Sequence, residues 1–127
     1  MIENIEQAIR VLGETYSRSQ DVNEASEFLV KQGDKAVPSL IEALNSDNGY
    51  IMLHAIFILG EMRAKQATMP LIALAEKTPD ARDGEEYDLK KNILDALGEI
   101  GDTRAIEALT QYLRHSEEHY RVSAAEA

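Results

Sequence analysis

Residues 101 to 113 read GDTRAIEALTQYL, and residues 33 to 44 read GDKAVPSLIEAL. Both segments open with Gly-Asp and continue with apolar side chains three or four positions apart, the spacing typical of an amphipathic helix. A third copy, KQATMPLIALAEK at residues 65 to 77, keeps the helical pattern but has lost the Gly-Asp opening. Three copies of one helical segment in a single chain indicate an array of structural repeats.

A second segment recurs along with the first. The sequences IFILGEM (56 to 62), LDALGEI (94 to 100) and SAAEA (123 to 127) align on Ile58, Ala96 and Ala127. The spacing is 31 residues from Ala36 to Ala67, 38 from Ala67 to Ala105, and 31 again from Ala96 to Ala127. The additional residues of the longer spacing lie around TPDARDGEEYD, residues 78 to 88. Each unit is therefore a helix pair of about 31 residues, a length typical of solenoid repeats.

Local signals mark the helix starts. Asp34 and Asp102 occupy helix N-cap positions, and each follows a glycine of the kind that ends the preceding helix. Pro38 and Pro70 fall in or near first turns, where proline is tolerated. No stretch alternates apolar and polar residues with a period of two. The sequence thus predicts an all-α fold, an α-α superhelix (HEAT-like solenoid) of stacked antiparallel helix pairs, about four including a divergent N-terminal pair.

We expect a single α-solenoid domain over residues 1–127. Its predicted parts are a capping pair at 1–32, a repeat at 33–62, a second repeat at 63–100 with a loop insertion at 78–86, and a third at 101–127 that is cut short. Because VLGETY (11 to 16) echoes ALGEIG (96 to 101), a different register of the first helices stays open. The repeat requires Leu-Gly after Ala127, which predicts either a fragment of a longer array or an open end that forms a homo-oligomer.

Composition limits the classes of function. Apolar residues make up 44% and charged residues 28%, and there is no cysteine, so disulfides and thiolate metal sites are excluded. The first residues lack the basic and apolar regions of a signal peptide, and the apolar stretch at 50 to 59 is about half the length of a membrane span. A net charge of −10 disfavours nucleic acid. We expect a cytoplasmic protein that binds neither nucleic acid nor membrane, and whose acidity favours solubility or a basic protein partner.

The segment LGEIGDTRAIEALTQYLRHSEEHYRVSAAEA, residues 97 to 127, resembles the HEAT-like repeat of the phycobilisome-lyase type. The pattern of that repeat is a Val-Arg pair, small residues, Ala-Leu-Gly-x-Ile-Gly-Asp and an Ala-hydrophobic-x-x-Leu helix, and residues 96 to 102 carry it most completely. The Val-Arg pair is replaced by Tyr120-Arg121, Leu89-Lys90 and Ile51-Met52, the last a clear departure. The resemblance covers residues 33 to 127 and implies second helices that line a concave, partner-binding surface. It does not fix a function, because such repeats occur in scaffolds, regulators and bilin lyases.

The stretch YIMLHAIFILGEM, residues 50 to 62, holds two apolar residues that its core stripe leaves unexplained. Leu53 and Phe57 fall on the far side of the helix from that stripe, one turn apart, with His54 beside them. Equivalent positions in other units are mostly polar: Asn23, Lys91 and Val122 for the first, Glu27, Asp95 and Glu126 for the second. We therefore expect Leu53 and Phe57 to face solvent in the middle of the concave surface.

Three interpretations of this surface stay open. Leu53 and Phe57 anchor a protein partner, or they belong to the core of a middle helix that neighbouring helices cover, or they line a small-molecule pocket. The predicted partner-binding set comprises Leu53, Phe57, His54, Glu27, Lys91, Asp95 and Glu126.

Sequence motifs for catalysis are lacking. His115 and His119 have the i, i+4 spacing of a metal pair, but RHSEEHY spans a predicted junction between helices. No Ser-His-Asp arrangement or phosphate-binding loop occurs. We expect no catalytic residue, no metal and no cofactor, and we hypothesise a non-catalytic interaction or scaffold module. The alternative, which the resemblance alone motivates, is a subunit of a phycobilin (tetrapyrrole) lyase.

Overall fold

The computed structural model describes residues 2–14, 20–78, 84–107 and 109–110. Six α-helices lie in these ranges: α1 (Ile5–Leu12), α2 (Gln20–Gln32), α3 (Val37–Ala43), α4 (Gly49–Glu61), α5 (Thr68–Lys77) and α6 (Gly84–Ile100). Short 3₁₀ turns span Gly33–Lys35, Lys65–Ala67 and Thr103–Ala105. None of the described residues belongs to a β-strand, which confirms the predicted all-α class.

The helices pack as consecutive pairs, α1 with α2, α3 with α4 and α5 with α6, and the largest contact between pairs joins α4 to α6. A short connection at residues 44 to 48 joins α3 to α4, so these two helices run antiparallel. One apolar core runs through all the pairs, from Ala8 in α1 to Ala105 in the last 3₁₀ turn. This stacking confirms the predicted HEAT-like solenoid. No helix in the described ranges has both the length and the apolar character needed to cross a membrane.

Local capping explains where the helices begin. The side chain of Asn4 accepts a hydrogen bond from the backbone N–H of Gln7 at 2.8 Å, and that of Asn48 accepts from the N–H of Tyr50 at 2.9 Å. These amides lie in the first turns of α1 and α4 and have no partner within the helix, so each asparagine satisfies a donor that would otherwise be left to water.

The N-terminal pair packs against the first turn of α4. A methyl group on Gly13, which follows α1, would lie 2.7 Å from Nδ2 of Asn48 and 3.0 Å from Cγ1 of Ile51. The carboxyl end of α1 thus meets the amino end of α4.

A glycine brings α4 and α6 together near their carboxyl ends. A methyl group on Gly60 would lie 3.1 Å from both Cα and Cβ of Ala96. Those distances are shorter than ordinary van der Waals contact, so the approach requires a residue without a side chain on α4 and a small residue on α6.

Each of the three units opens with a residue in the left-handed region of backbone conformation, followed by a 3₁₀ turn. Gly33 and Gly101 have φ values of 60° and 69°, in the left-handed region. Arg63 has a φ of 55° at the position 38 residues before Gly101, in the unit whose Gly-Asp opening is lost. The turn therefore persists without its glycine, at the cost of strain in an L-residue.

Asp102 joins the third unit to the second. Its carboxylate accepts hydrogen bonds from the side chain of Arg104 (2.9 Å from Nε and 2.6 Å from Nη2) and from the backbone N–H of Arg104 at 2.9 Å. The hydroxyl of Thr68, at the start of α5, donates to the same carboxylate at 3.0 Å, and Arg104 also donates to the carbonyl of Lys65 at 3.0 Å. The hydrogen bonds from Arg104, aided by Thr68 and opposed by burial, hold the pKa of Asp102 well below its usual range.

A buried lysine links α6 to the end of α5. Lys90 occupies the basic position of the repeat pattern, and its ammonium donates to the carbonyl of Thr78 at 2.9 Å. Thr78 ends α5, so a positive charge lies at the negative end of that helix dipole, where it is stabilising.

We predict that Gly60→Leu lowers the free energy of unfolding by about 1–3 kcal/mol, because the new side chain has to displace α6. Gly49→Leu is the matched control in the same helix, since nothing lies within 4 Å of a methyl group built on Gly49. We expect the control to change stability by less than about 0.5 kcal/mol in urea denaturation. Equal losses in both variants would contradict the close approach.

We predict that Arg63→Gly raises the free energy of unfolding by up to about 1 kcal/mol, because glycine adopts a positive φ without steric cost. The gain is reduced by the conformational entropy that glycine adds to the unfolded chain. Arg63→Ala is the control, since it removes the long side chain but keeps Cβ. A shift of the urea midpoint in the glycine variant alone supports backbone strain, whereas the same gain in both variants assigns the effect to the arginine side chain.

The Asp102 network predicts a stability that depends on pH. Because the folded-state pKa lies below the unfolded value of about 3.9, the ionised carboxylate stabilises the fold above that value, and the contribution is lost as pH falls further. We expect Asp102→Asn to be less stable than the parent at neutral pH and the difference to shrink below about pH 4. Urea denaturation across that range measures it, and a difference that does not vary with pH would contradict the assignment.

Candidate binding surface on α4 and α6

The helix α4 is covered on nearly every side. Its buried residues are Leu53, His54, Ala55, Ile56, Ile58, Leu59 and Gly60. Two large side chains are exceptions, because Tyr50 is 43% exposed and Phe57 is 42% exposed. These two residues are separated by two helical turns and therefore lie on one side of α4.

Leu53 does not face solvent, which corrects the expectation drawn from its polar counterparts. It is only 8% exposed, and His54 beside it is 3% exposed. The amino-terminal half of α6 reaches this level of α4, since residues of both helices border the depression that Leu53 lines. Phe57, one turn further on, meets the expectation of exposure. The aromatic ring of His54 contacts that of Phe57 edge to face, with 6.5 Å between ring centroids.

An open groove lies between the amino-terminal halves of α4 and α6. Its volume is about 420 Å³, and its walls are formed by Gly49, Tyr50, Met52, Leu53, Asp88, Leu89 and Asn92. The walls on α4 are apolar, whereas Asp88 and Asn92 supply polar groups on α6. Leu53 forms part of the wall rather than a projecting anchor, and Tyr50 and Phe57 project beside it.

Charged residues follow α6 along the same surface. Lys91 and Asp95 form an i, i+4 ion pair of 3.1 Å, and both side chains remain about 40% exposed. Asp88 is exposed one turn before Lys91. An exposed pair of this kind contributes little to stability, so these charges stay available to a partner.

The structure brings together only part of the predicted set. Leu53, His54 and Phe57 lie on α4 and Lys91 and Asp95 on α6, the two helices with the largest contact. Glu27 is exposed on α2, which has a much smaller contact with α4. Glu126, and the histidines at 115 and 119, lie outside the described residues.

Sequence reasoning missed Tyr50 and Asp88. The signal for both was present: Tyr50 lies seven residues before Phe57, and Asp88 lies 38 residues after Tyr50, the offset between units. Within the ranges that the structure describes, no three His, Asp or Glu side chains gather into a possible metal site.

A family model described as HEAT repeats matches residues 37–127. The chain belongs to the HEAT-repeat family. The phycocyanobilin lyase subunit alpha of Nostoc sp. is 31% identical to it over 104 residues, which are 80% of this chain and 38% of that relative. The chain thus spans little more than a third of the relative's length. Together these similarities confirm the resemblance to HEAT-like repeats of the phycobilisome-lyase type.

In HEAT terms, α3 and α5 are first helices, and α4 and α6 are second helices. The groove and the two exposed aromatic side chains therefore lie on second helices, the position at which the resemblance placed a binding surface. The sequence did not predict that Leu53 lies in the wall of the groove or that Tyr50 lies at its edge.

Proposed function

We propose that this HEAT-repeat protein is a non-catalytic, cytoplasmic interaction module that binds another protein on the surface of α4 and α6. The observation that supports the proposal is the exposure of Tyr50 and Phe57 on a helix whose other large side chains are mostly buried. Tyr and Phe are enriched at protein interfaces, and Tyr is among the residues that most often carry binding energy there.

The proposed interface combines two kinds of interaction. Tyr50 and Phe57 supply apolar area that loses water on contact, and the groove beside them accepts a side chain from the partner. Asp88 and the pair Lys91–Asp95 supply charges that orient the partner and accelerate its approach. In the proposed interface, Lys91, Asp95 and Phe57 contact the partner, whereas the buried Leu53 and His54 support the surface from beneath.

We predict that Tyr50→Ser combined with Phe57→Ser reduces partner capture about tenfold or more, because it removes both exposed anchors. Since both side chains are partly exposed, the variant should keep its helical circular dichroism, and the lost contact between Phe57 and His54 should cost no more than about 1.5 kcal/mol of stability. A pull-down followed by mass spectrometry compares it with the parent chain.

Met69→Ser combined with Ile106→Ser is the matched control, because these are also exposed apolar residues but neither lines the groove. The control should capture the same partners as the parent chain. Equal capture by all three proteins would exclude the α4 and α6 surface as the binding site. Leu53 is unsuitable for this test, because its burial makes any substitution a test of folding.

A second candidate function is a subunit of a bilin lyase, which the similarity to a phycocyanobilin lyase subunit favours. The groove of about 420 Å³ would then hold part of a flat apolar tetrapyrrole, and Asp88 would face its pyrrole nitrogens. In this case, titration of the chain with phycocyanobilin should change the visible absorbance of the pigment, and Tyr50→Ser should weaken that change. An unaltered spectrum would eliminate the candidate.

A further inference from the structure

Two rows of side chains run side by side along the candidate surface. On α4, Tyr50 and Phe57 are seven residues apart, which places them about 10.5 Å apart along the helix axis. On α6, Asp88 and Asp95 are also seven residues apart and therefore have the same spacing. We call the first pair the aromatic row and the second pair the acidic row.

The two rows lie parallel and in register. Near their carboxyl ends, α4 and α6 meet at Gly60 and Ala96, and near their amino ends residues 49–53 face residues 88–92 across the groove. The helices therefore run in the same direction, with each aromatic residue 38 positions before its acidic counterpart. Packed helix axes lie about 8–10 Å apart, so a single ligand segment reaches both rows.

We propose that the partner segment is a basic amphipathic helix, an inference that rests on the proposed function and specifies its ligand. The segment places apolar side chains at positions i and i+7 against the aromatic row, with one of them entering the groove. It places Lys or Arg three or four positions further along, on the side that faces Asp88 and Asp95. The spacing follows from two turns of helix, about 10.5 Å, which matches both rows at once.

Backbone geometry favours a helix over an extended strand as the ligand. Both walls of the groove are helices, whose backbone hydrogen bonds are internal, so this surface offers no unpaired strand edge on which a peptide could be added. Recognition must therefore come from side chains. A helix satisfies its own backbone groups and presents side chains at the required spacing.

Charge favours a cationic ligand over a second copy of this chain. The net charge of the chain is −10, and the acidic row carries two carboxylates against the single ammonium of Lys91. A second copy would carry the same net charge of −10 and would be repelled, whereas a basic helix is attracted over several ångströms at moderate salt.

A display library of helical 18-residue peptides with randomised side chains tests the inference. Peptides are selected for binding to the full parent chain and then sorted by loss of binding to the variant Tyr50→Ser/Phe57→Ser. We expect the sorted peptides to be enriched in Lys and Arg and to carry apolar residues at i and i+7. Their affinity, measured by fluorescence anisotropy, should fall roughly tenfold or more in that variant and stay within about twofold in Met69→Ser/Ile106→Ser.

Charge is tested separately in the same peptides. Asp88→Asn combined with Asp95→Asn should weaken binding about tenfold at low salt and flatten its salt dependence. Glu42→Gln combined with Glu76→Gln removes two exposed acids from the first helices α3 and α5 and is the matched control, which should bind as the parent chain does.

The outcomes separate the two proposals. Peptides that depend on Tyr50 and Phe57 but are neutral or acidic would overturn the basic-helix inference and leave the interaction surface standing. A library without any peptide that depends on these two residues would overturn both. Concentration-dependent dimerisation of the parent chain that Tyr50→Ser/Phe57→Ser abolishes, measured by sedimentation velocity, would overturn the inference by assigning the surface to a second copy.

Discussion

The close approach of α4 and α6 at Gly60 and Ala96 is the constraint on which the rest of the structure depends. Because Gly60 has no side chain, the backbone of α4 approaches α6 so closely that a methyl group there would lie 3.1 Å from Ala96. The contact also fixes the relative position of the two helices along their axes. Gly60 and Ala96 are 36 positions apart, so residues 38 positions apart lie at nearly the same level of the two helix axes, and the sequence repeat is reproduced along the surface.

The same contact explains why α4 is apolar almost all round. Four helices, α1, α2, α3 and α6, pack against it, so it behaves as a central helix rather than as one with a single buried stripe. Leu53 and His54 are buried for this reason, although they lie opposite the main core stripe. The side that carries Tyr50 and Phe57 is only partly open, because Leu53 and His54, which lie between these two residues on that side, are buried. A small apolar strip beside carboxylates still offers binding energy to a suitable ligand.

The fold could be predicted from the sequence because the repeated capping residues and glycines act locally. Asp102 caps the turn it was expected to cap, and Gly33 and Gly101 adopt the positive φ expected of glycines that end helices. The same prediction for Asp34 is wrong, because Asp34 lies inside the turn Gly33–Lys35, which has no side-chain cap. The solvent exposure of a side chain is harder to predict from sequence, because it depends on how closely neighbouring units approach each other. Comparison with Lys91 at the equivalent position suggested that Leu53 faces solvent. The two positions have different neighbours, however, because α6 covers one side of α4. The sequence does not show how closely α4 and α6 approach each other.

The turns that open the second and third units have the same positive φ but different residues. At Gly101 and Asp102, glycine supplies the conformation, and the carboxylate links two units through Thr68. In the preceding unit, Arg63 adopts the same φ without glycine, and Ala64 stands where Asp102 stands in the next unit. Thr68 itself corresponds to Val37 one unit earlier, so the carboxylate and the hydroxyl that donates to it are both absent there. An acid facing valine would be buried without its donor, and the paired loss of both polar groups avoids that cost. The loss of the Gly-Asp opening in the second unit is therefore matched by the loss of its hydrogen-bonding partner. A polar contact between units is replaced by an apolar one.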